Sequence, residues 1–139
     1  MTIRKSAYAL VVAAALATGG PAVAQQSVRA IVSTWQAAPG HQVALMKWLA
    51  DQDRVAAAAG VPKAQVYVHT DGAEWDYVVI QPLTTPAQDA ALEAAGKQLG
   101  IDAGPRSALE FRKHIASHTD TLTRGPTTAA DYLASVGEK

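Results

Sequence analysis

The stretch EFRKHIASHTDT, residues 110–121, holds two of the chain's four histidines together with an aspartate. If its second half is a strand, His118 and Asp120 project from one face with neighbouring side chains. Histidine titrates near neutrality, and a carboxylate beside it raises its basicity and fixes its tautomer. Facing an aromatic cavity, such a pair can move a proton on a small hydrophobic or phenolic molecule, with Arg112 or Arg124 to hold a carboxylate or enolate oxygen. The plainer alternative has both side chains bonded to backbone or water at a strand start. On a continuous helix, by contrast, His114 and His118 share a face, and Asp120 can join them as nitrogen and oxygen ligands of a divalent metal. No glutamate stands between the histidines as in the zinc-protease motif, so no metal site is expected.

His69 is a third candidate proton carrier. It shares a strand face with Tyr67, across from Trp75 and Tyr77, and the alternative leaves it in solvent beside a turn. His41, after Pro39-Gly40, is expected to sit exposed at a helix start. His69, His114 and His118 are eligible as axial haem ligands, but C-x-x-C-H is absent and excludes covalent c-type haem; no cofactor is expected. Serine triads, phosphate loops and nucleotide fingerprints are absent as well.

The elements that position these groups follow from periodicity. Ser27 to Gln36 alternates as a strand, ended by Ala38-Pro39-Gly40. From about His41 to Ala59 the apolar residues Leu45, Trp48, Leu49, Val55 and Ala56 fall on one helical stripe, opposite Lys47, Asp51 and Arg54. Gln52 lies near the centre of that stripe, so its amide needs hydrogen-bond partners there or reaches water at the helix edge. Gly60 and Pro62 stop the helix. Ala64 to Thr70 and Glu74 to Pro82 read as a strand pair around Asp71-Gly72. A Thr-Pro start and Gly100 bracket a second helix. A third begins near Arg106, changes to a strand between Ile115 and Thr119, and the strand ends at Gly125-Pro126. Thr127 to Val136 makes a short C-terminal helix.

This order is the split βαβ pattern of a ferredoxin-like α+β domain, with a four-stranded antiparallel sheet and helices on one face. The other face is expected to carry Ile31, Trp35, Tyr67, His69, Trp75, Tyr77 and Val79, a large apolar patch that marks an interface or a ligand groove.

The first strand running into APGH, the amphipathic helix carrying Trp48, and EWDYVVIQPL resemble the dimeric α/β-barrel superfamily, of the antibiotic-biosynthesis-monooxygenase and NIPSNAP-like kind. The resemblance spans nearly all of residues 27–125. It implies two sheets packed face to face in a homodimeric barrel, each protomer with a cavity between sheet and helices or in the barrel interior. Its members include monooxygenases, muconolactone isomerases, polyketide cyclases and haem-binding enzymes, so it implies no single chemistry.

Residues 1–24 read as a bacterial secretory leader. Arg4 and Lys5 precede an uncharged run from Ala7 to Ala17, and Ala22-Val23-Ala24 supplies the small residues of a cleavage site. The run is too short to span a membrane. Residues 25–139 then form one domain, periplasmic or secreted, with no membrane anchor. It holds ten basic and twelve acidic residues, a balance of −2 that leaves no basic footprint for nucleic acid. The absence of cysteine excludes disulfides and thiolate chemistry.

The expected function is an exported homodimeric domain that binds a small hydrophobic or phenolic molecule in an aromatic-lined cavity. Trp35, Gln52, Tyr67, Trp75, Tyr77, Arg112 and His114 would form the binding set, and His118, Asp120 and His69 the proton-handling set. A cofactor-independent monooxygenase, isomerase or lyase using His118 with Asp120 is the alternative. An interaction module without a cavity is the third.

Overall fold

The computed structural model describes residues 28–72 and 74–138, and the leader expected at residues 1–24 lies outside them. The alternating segment Val28–Ala37 forms β1, and Gln42–Ala59 forms α1. Strands β2 (Gln65–Val68) and β3 (Tyr77–Pro82) follow, then α2 (Pro86–Leu99), α3 (Pro105–His114), β4 (Ile115–Gly125) and α4 (Ala129–Ser135). Helix ends fall where the chemistry puts them. Gly60, at φ 66°, closes α1 with its N–H on the carbonyls of Ala56 and Ala57. Thr85 and Gln88 cap α2 reciprocally, with Pro86 in the first turn.

The described residues form an α+β domain with an open four-stranded antiparallel sheet and four helices. The strands lie in the order β2-β3-β1-β4, and every neighbouring pair is antiparallel. β1 pairs with β3 through Ser33↔Val79 and Trp35↔Tyr77. On its other side it pairs with β4 through Ser33↔Asp120 and Trp35↔His118.

These registers overturn the expected face. Residues directly opposite one another share a side of the sheet. Ile31, Ser33, Trp35, Tyr77, Val79, His118 and Asp120 therefore face one way, and Trp35, Tyr77 and Val79 are buried with Leu45 and Leu49 of α1. That is the helix-covered side, not the open one. The opposite side carries Val32, Thr34, Val78, Ile80, Thr119, Thr121 and Tyr67, since Tyr67 stands opposite Val78. Trp75 and His69 belong to neither strand face. They lie in the connection between β2 and β3, with ring centroids 4.8 Å apart. The physical reason is the turn. With an even number of residues between ladder partners, odd positions meet even ones, so Tyr67 and Tyr77 cannot share a side.

The core is deepest at Leu45, Val55 and Val79, and Met46, Trp48, Phe111 and Ile115 pack against it. Asp76 ties its edge together. Asp76 Oδ2 accepts from the Ala37 N–H at 2.7 Å, and the Asp76 N–H donates to the Trp35 carbonyl at 2.8 Å. The first bond satisfies a buried amide where the β1–β4 register shifts between Gln36 and Ala37. Replacing Asp76 with alanine strands that amide and is expected to cost about 1–3 kcal/mol in urea unfolding. Asparagine, which keeps an acceptor, is expected to cost less.

Candidate functional site

A cleft of about 400 Å³ separates the covered side of the sheet from the helices. That volume lies within the range of small-molecule sites. Ile31, Ser33 and Trp35 of β1 and His118 and Asp120 of β4 form its floor and one edge. Trp48, Leu49 and Gln52 of α1 and Ser107 and Phe111 of α3 form the roof.

The aromatic wall is continuous. Phe111 lies 4.9 Å from Trp35 and 5.1 Å from Trp48, centroid to centroid. The His118 ring meets Phe111 edge-on at 5.5 Å.

The β1–β4 ladder brings the polar groups together. Ser33 stands directly across from Asp120, and its hydroxyl donates to Asp120 Oδ1 at 2.6 Å. His118 Nε2 lies 3.4 Å from Asp120 Oδ2. The carboxylate is the middle member, so this is not a serine-nucleophile triad, in which histidine contacts the serine. It is a carboxylate–imidazole pair anchored by a buried serine. Gln52 meets the need set by its place on the apolar stripe, its amide donating to the Asp102 carbonyl at 3.1 Å.

The charged lining consists of Asp53, Asp89 and Asp120, with no lysine or arginine among the described lining residues. Arg112 is exposed on α3 and outside the lining, as is Arg124. The expected arginine clamp on a carboxylate is therefore not part of the cleft.

Of the residues singled out in the sequence, Trp35, Gln52, His118 and Asp120 line the cleft, and His69, Tyr67, Trp75, Tyr77, Arg112 and His114 do not. α3 ends at His114 and β4 begins at Ile115, so His114 and His118 do not share a helix face. Among the described residues no three His, Asp or Glu side chains are grouped to hold a metal.

His114 instead meets His41, Nδ1 to Nδ1 at 3.1 Å, with its Nε2 3.3 Å from Glu110 Oε1. His41 is thus half-buried, not exposed at the helix start. A hydrogen bond from Lys113 holds the Glu110 carboxyl below its ordinary range, and His114 adds to the effect.

Tyr77 packs behind α1, where burial and then the Asp76 charge push its phenol above its ordinary value. A raised folded-state pKa means stability present below the unfolded value near 10 and lost as pH rises through the folded one. Urea midpoints are expected to fall above about pH 10, and Tyr77→Phe to remove that part of the decline.

Ser33, Trp48 and Phe111 were not among the site residues expected from sequence. Ser33 carried one signal, a lone hydroxyl between Ile31 and Trp35 on one side of β1.

No family model and no solved structure matches the chain. A 78-residue stretch is 32% identical to the vacuolar protein sorting/targeting protein 10 of Coccidioides posadasii (strain C735). That stretch is 56% of this chain, but the chain spans only 5% of the relative's length. Among the described residues no helix is long and apolar enough to cross a membrane.

Proposed function

We infer that this protein is an exported, homodimeric domain of the ferredoxin-like, dimeric α/β-barrel kind that binds a small, neutral aromatic molecule. The observation that carries the reading is the cleft, in which Trp35, Trp48 and Phe111 form an apolar wall beside Ser33, Asp120 and His118. The strand order β2-β3-β1-β4, antiparallel throughout, supports the ferredoxin-like reading because a split βαβ unit produces that order. The leader-like pattern of residues 1–24 supports export. Val32, Val78 and Ile80, aligned on the sheet side opposite the cleft, support pairing with a second copy. The cleft lies on the other side of the sheet from that face.

Three aspartates in the lining, with no lysine or arginine among its described residues, disfavour an anionic guest. The bound molecule is accordingly a phenol or similar neutral ring and not an aryl carboxylate. In titrations followed by indole fluorescence, 1-naphthol is expected to saturate and to bind at least about tenfold more tightly than 1-naphthoate. Equal affinity for both, or no saturation by either, would count against the cleft as the binding site. Sedimentation at micromolar protein tests the dimer, which Ile80→Lys is expected to split.

A cofactor-independent enzyme is a second reading, favoured by the contact of His118 with Asp120 at the cleft edge.

A further inference from the structure

The Ser33–Asp120–His118 chain fixes which ring nitrogen is basic. Asp120 accepts the Ser33 hydroxyl at Oδ1, and its Oδ2 lies 3.4 Å from His118 Nε2. A carboxylate opposite Nε2 holds the proton of the neutral imidazole on that nitrogen, which leaves the lone pair on Nδ1. Phe111 packs edge-on against the ring and limits its rotation. Asp120 is the charged group in contact with His118; the other charged residues of the lining are Asp53 on α1 and Asp89 on α2, while β1 contributes Ser33 and Trp35 and α3 contributes Phe111.

We propose that His118 Nδ1 accepts the proton of a phenol bound in the cleft, with Ser33 as the positioning residue that holds Asp120 against His118. The inference rests on the binding reading above and adds to it the form in which the ligand is held. A neutral phenol enters, its O–H bond breaks, an N–H bond forms at His118 Nδ1, and the O–H electron pair stays on the phenolate oxygen. The product is a phenolate–imidazolium pair whose positive member is neutralised by Asp120. No co-reactant is required. Ser33 is 6% exposed, and its 2.6 Å contact holds Asp120 from the strand directly opposite.

The probe is 4-nitrophenol, whose phenolate absorbs at longer wavelength than the phenol, with 4-nitroanisole as a matched ring that has no proton to give. About one pH unit below the free probe's own pKa, binding to the wild-type protein is expected to raise the phenolate band. His118→Gln should bind the probe without that band. Asp120→Asn should lose at least about tenfold of the ionised fraction, and Ser33→Ala several-fold, with partial recovery in Ser33→Thr. Binding of 4-nitroanisole by each variant is measured alongside, so that the ionised fraction is read per molecule of probe bound and a variant that has lost the cleft is recognised by its failure to bind either ring. A phenolate band that persists in His118→Gln, or wild-type protein that binds 4-nitrophenol wholly as the neutral phenol, overturns the inference while leaving the binding reading intact. If neither probe binds, the binding reading falls and this inference with it.

Discussion

Trp35→Ala is expected to destabilise the domain by about 3–5 kcal/mol, the largest loss of any single tryptophan substitution here. Its indole is 7% exposed, lies against Phe111 at 4.9 Å and Trp48 at 6.2 Å, and sits beside Tyr77 across the β1–β3 ladder. Removing it takes away the apolar transfer energy and leaves a void bounded by two strands and two helices. Strands in a ladder cannot move inward to fill such a space without breaking hydrogen bonds, so little relaxation offsets the loss. Trp75→Ala is the internal control. Its ring lies tilted against that of His69 in the connection between β2 and β3, outside the core, and its loss is expected to cost about 1 kcal/mol or less. Urea unfolding followed by far-ultraviolet circular dichroism measures both. Similar losses for the two would mean that the register assigned to β1 and β3 is wrong.

The contrast between these tryptophans marks where the sequence stops being informative. Alternation showed which residues of a strand share a side, and it did so correctly within β1 and within β3. It could not show how two strands are paired, because that depends on the parity of the connection between them. Asp71-Gly72 announced a turn, yet β2 ends at Val68 and β3 begins at Tyr77. Both sides of β1 and β3 are also apolar, with Val32, Val78 and Ile80 on one and Ile31, Trp35 and Val79 on the other. Composition therefore gave no vote on which side the helices cover. Bulk decides it: the indole of Trp35 and the side chains of Leu45 and Leu49 fill a helix–sheet interface that smaller β-branched residues would leave empty.

The candidate site was legible in part for a related reason. His118 and Asp120 are close in sequence, and strand geometry alone predicts that they meet. Ser33 is 87 residues from Asp120, and only the β1–β4 register joins them. His114 shows the converse. Its spacing from His118 suggests a shared helix face, but the helix ends between them. Its partner is His41, 73 residues away, because the turn before α1 and the end of α3 meet where the Ala38 N–H donates to the His114 carbonyl.

Leu45→Ala should be the most destabilising aliphatic truncation, about 3–4 kcal/mol, lowering the melting midpoint by more than about 10 °C. Leu45 is fully buried, at 0% exposure, and α1 has few other means of staying in place. No side chain caps its N-terminus, its first turn has no acid and its last turn no base. An isolated 18-residue helix is marginal in water, so α1 is held by its stripe of Leu45, Leu49, Val55 and Ala56 against the sheet. Val43, two residues earlier and 67% exposed, is the matched comparison, and Val43→Ala is expected to change stability by no more than about 0.5 kcal/mol. The same helix carries Trp48, Leu49 and Gln52 into the cleft. Loosening α1 therefore weakens binding of 1-naphthol as well, even though Leu45 does not line the cleft. A variant that loses the full stability increment yet binds the probe with wild-type affinity would show that the cleft does not depend on how α1 is seated.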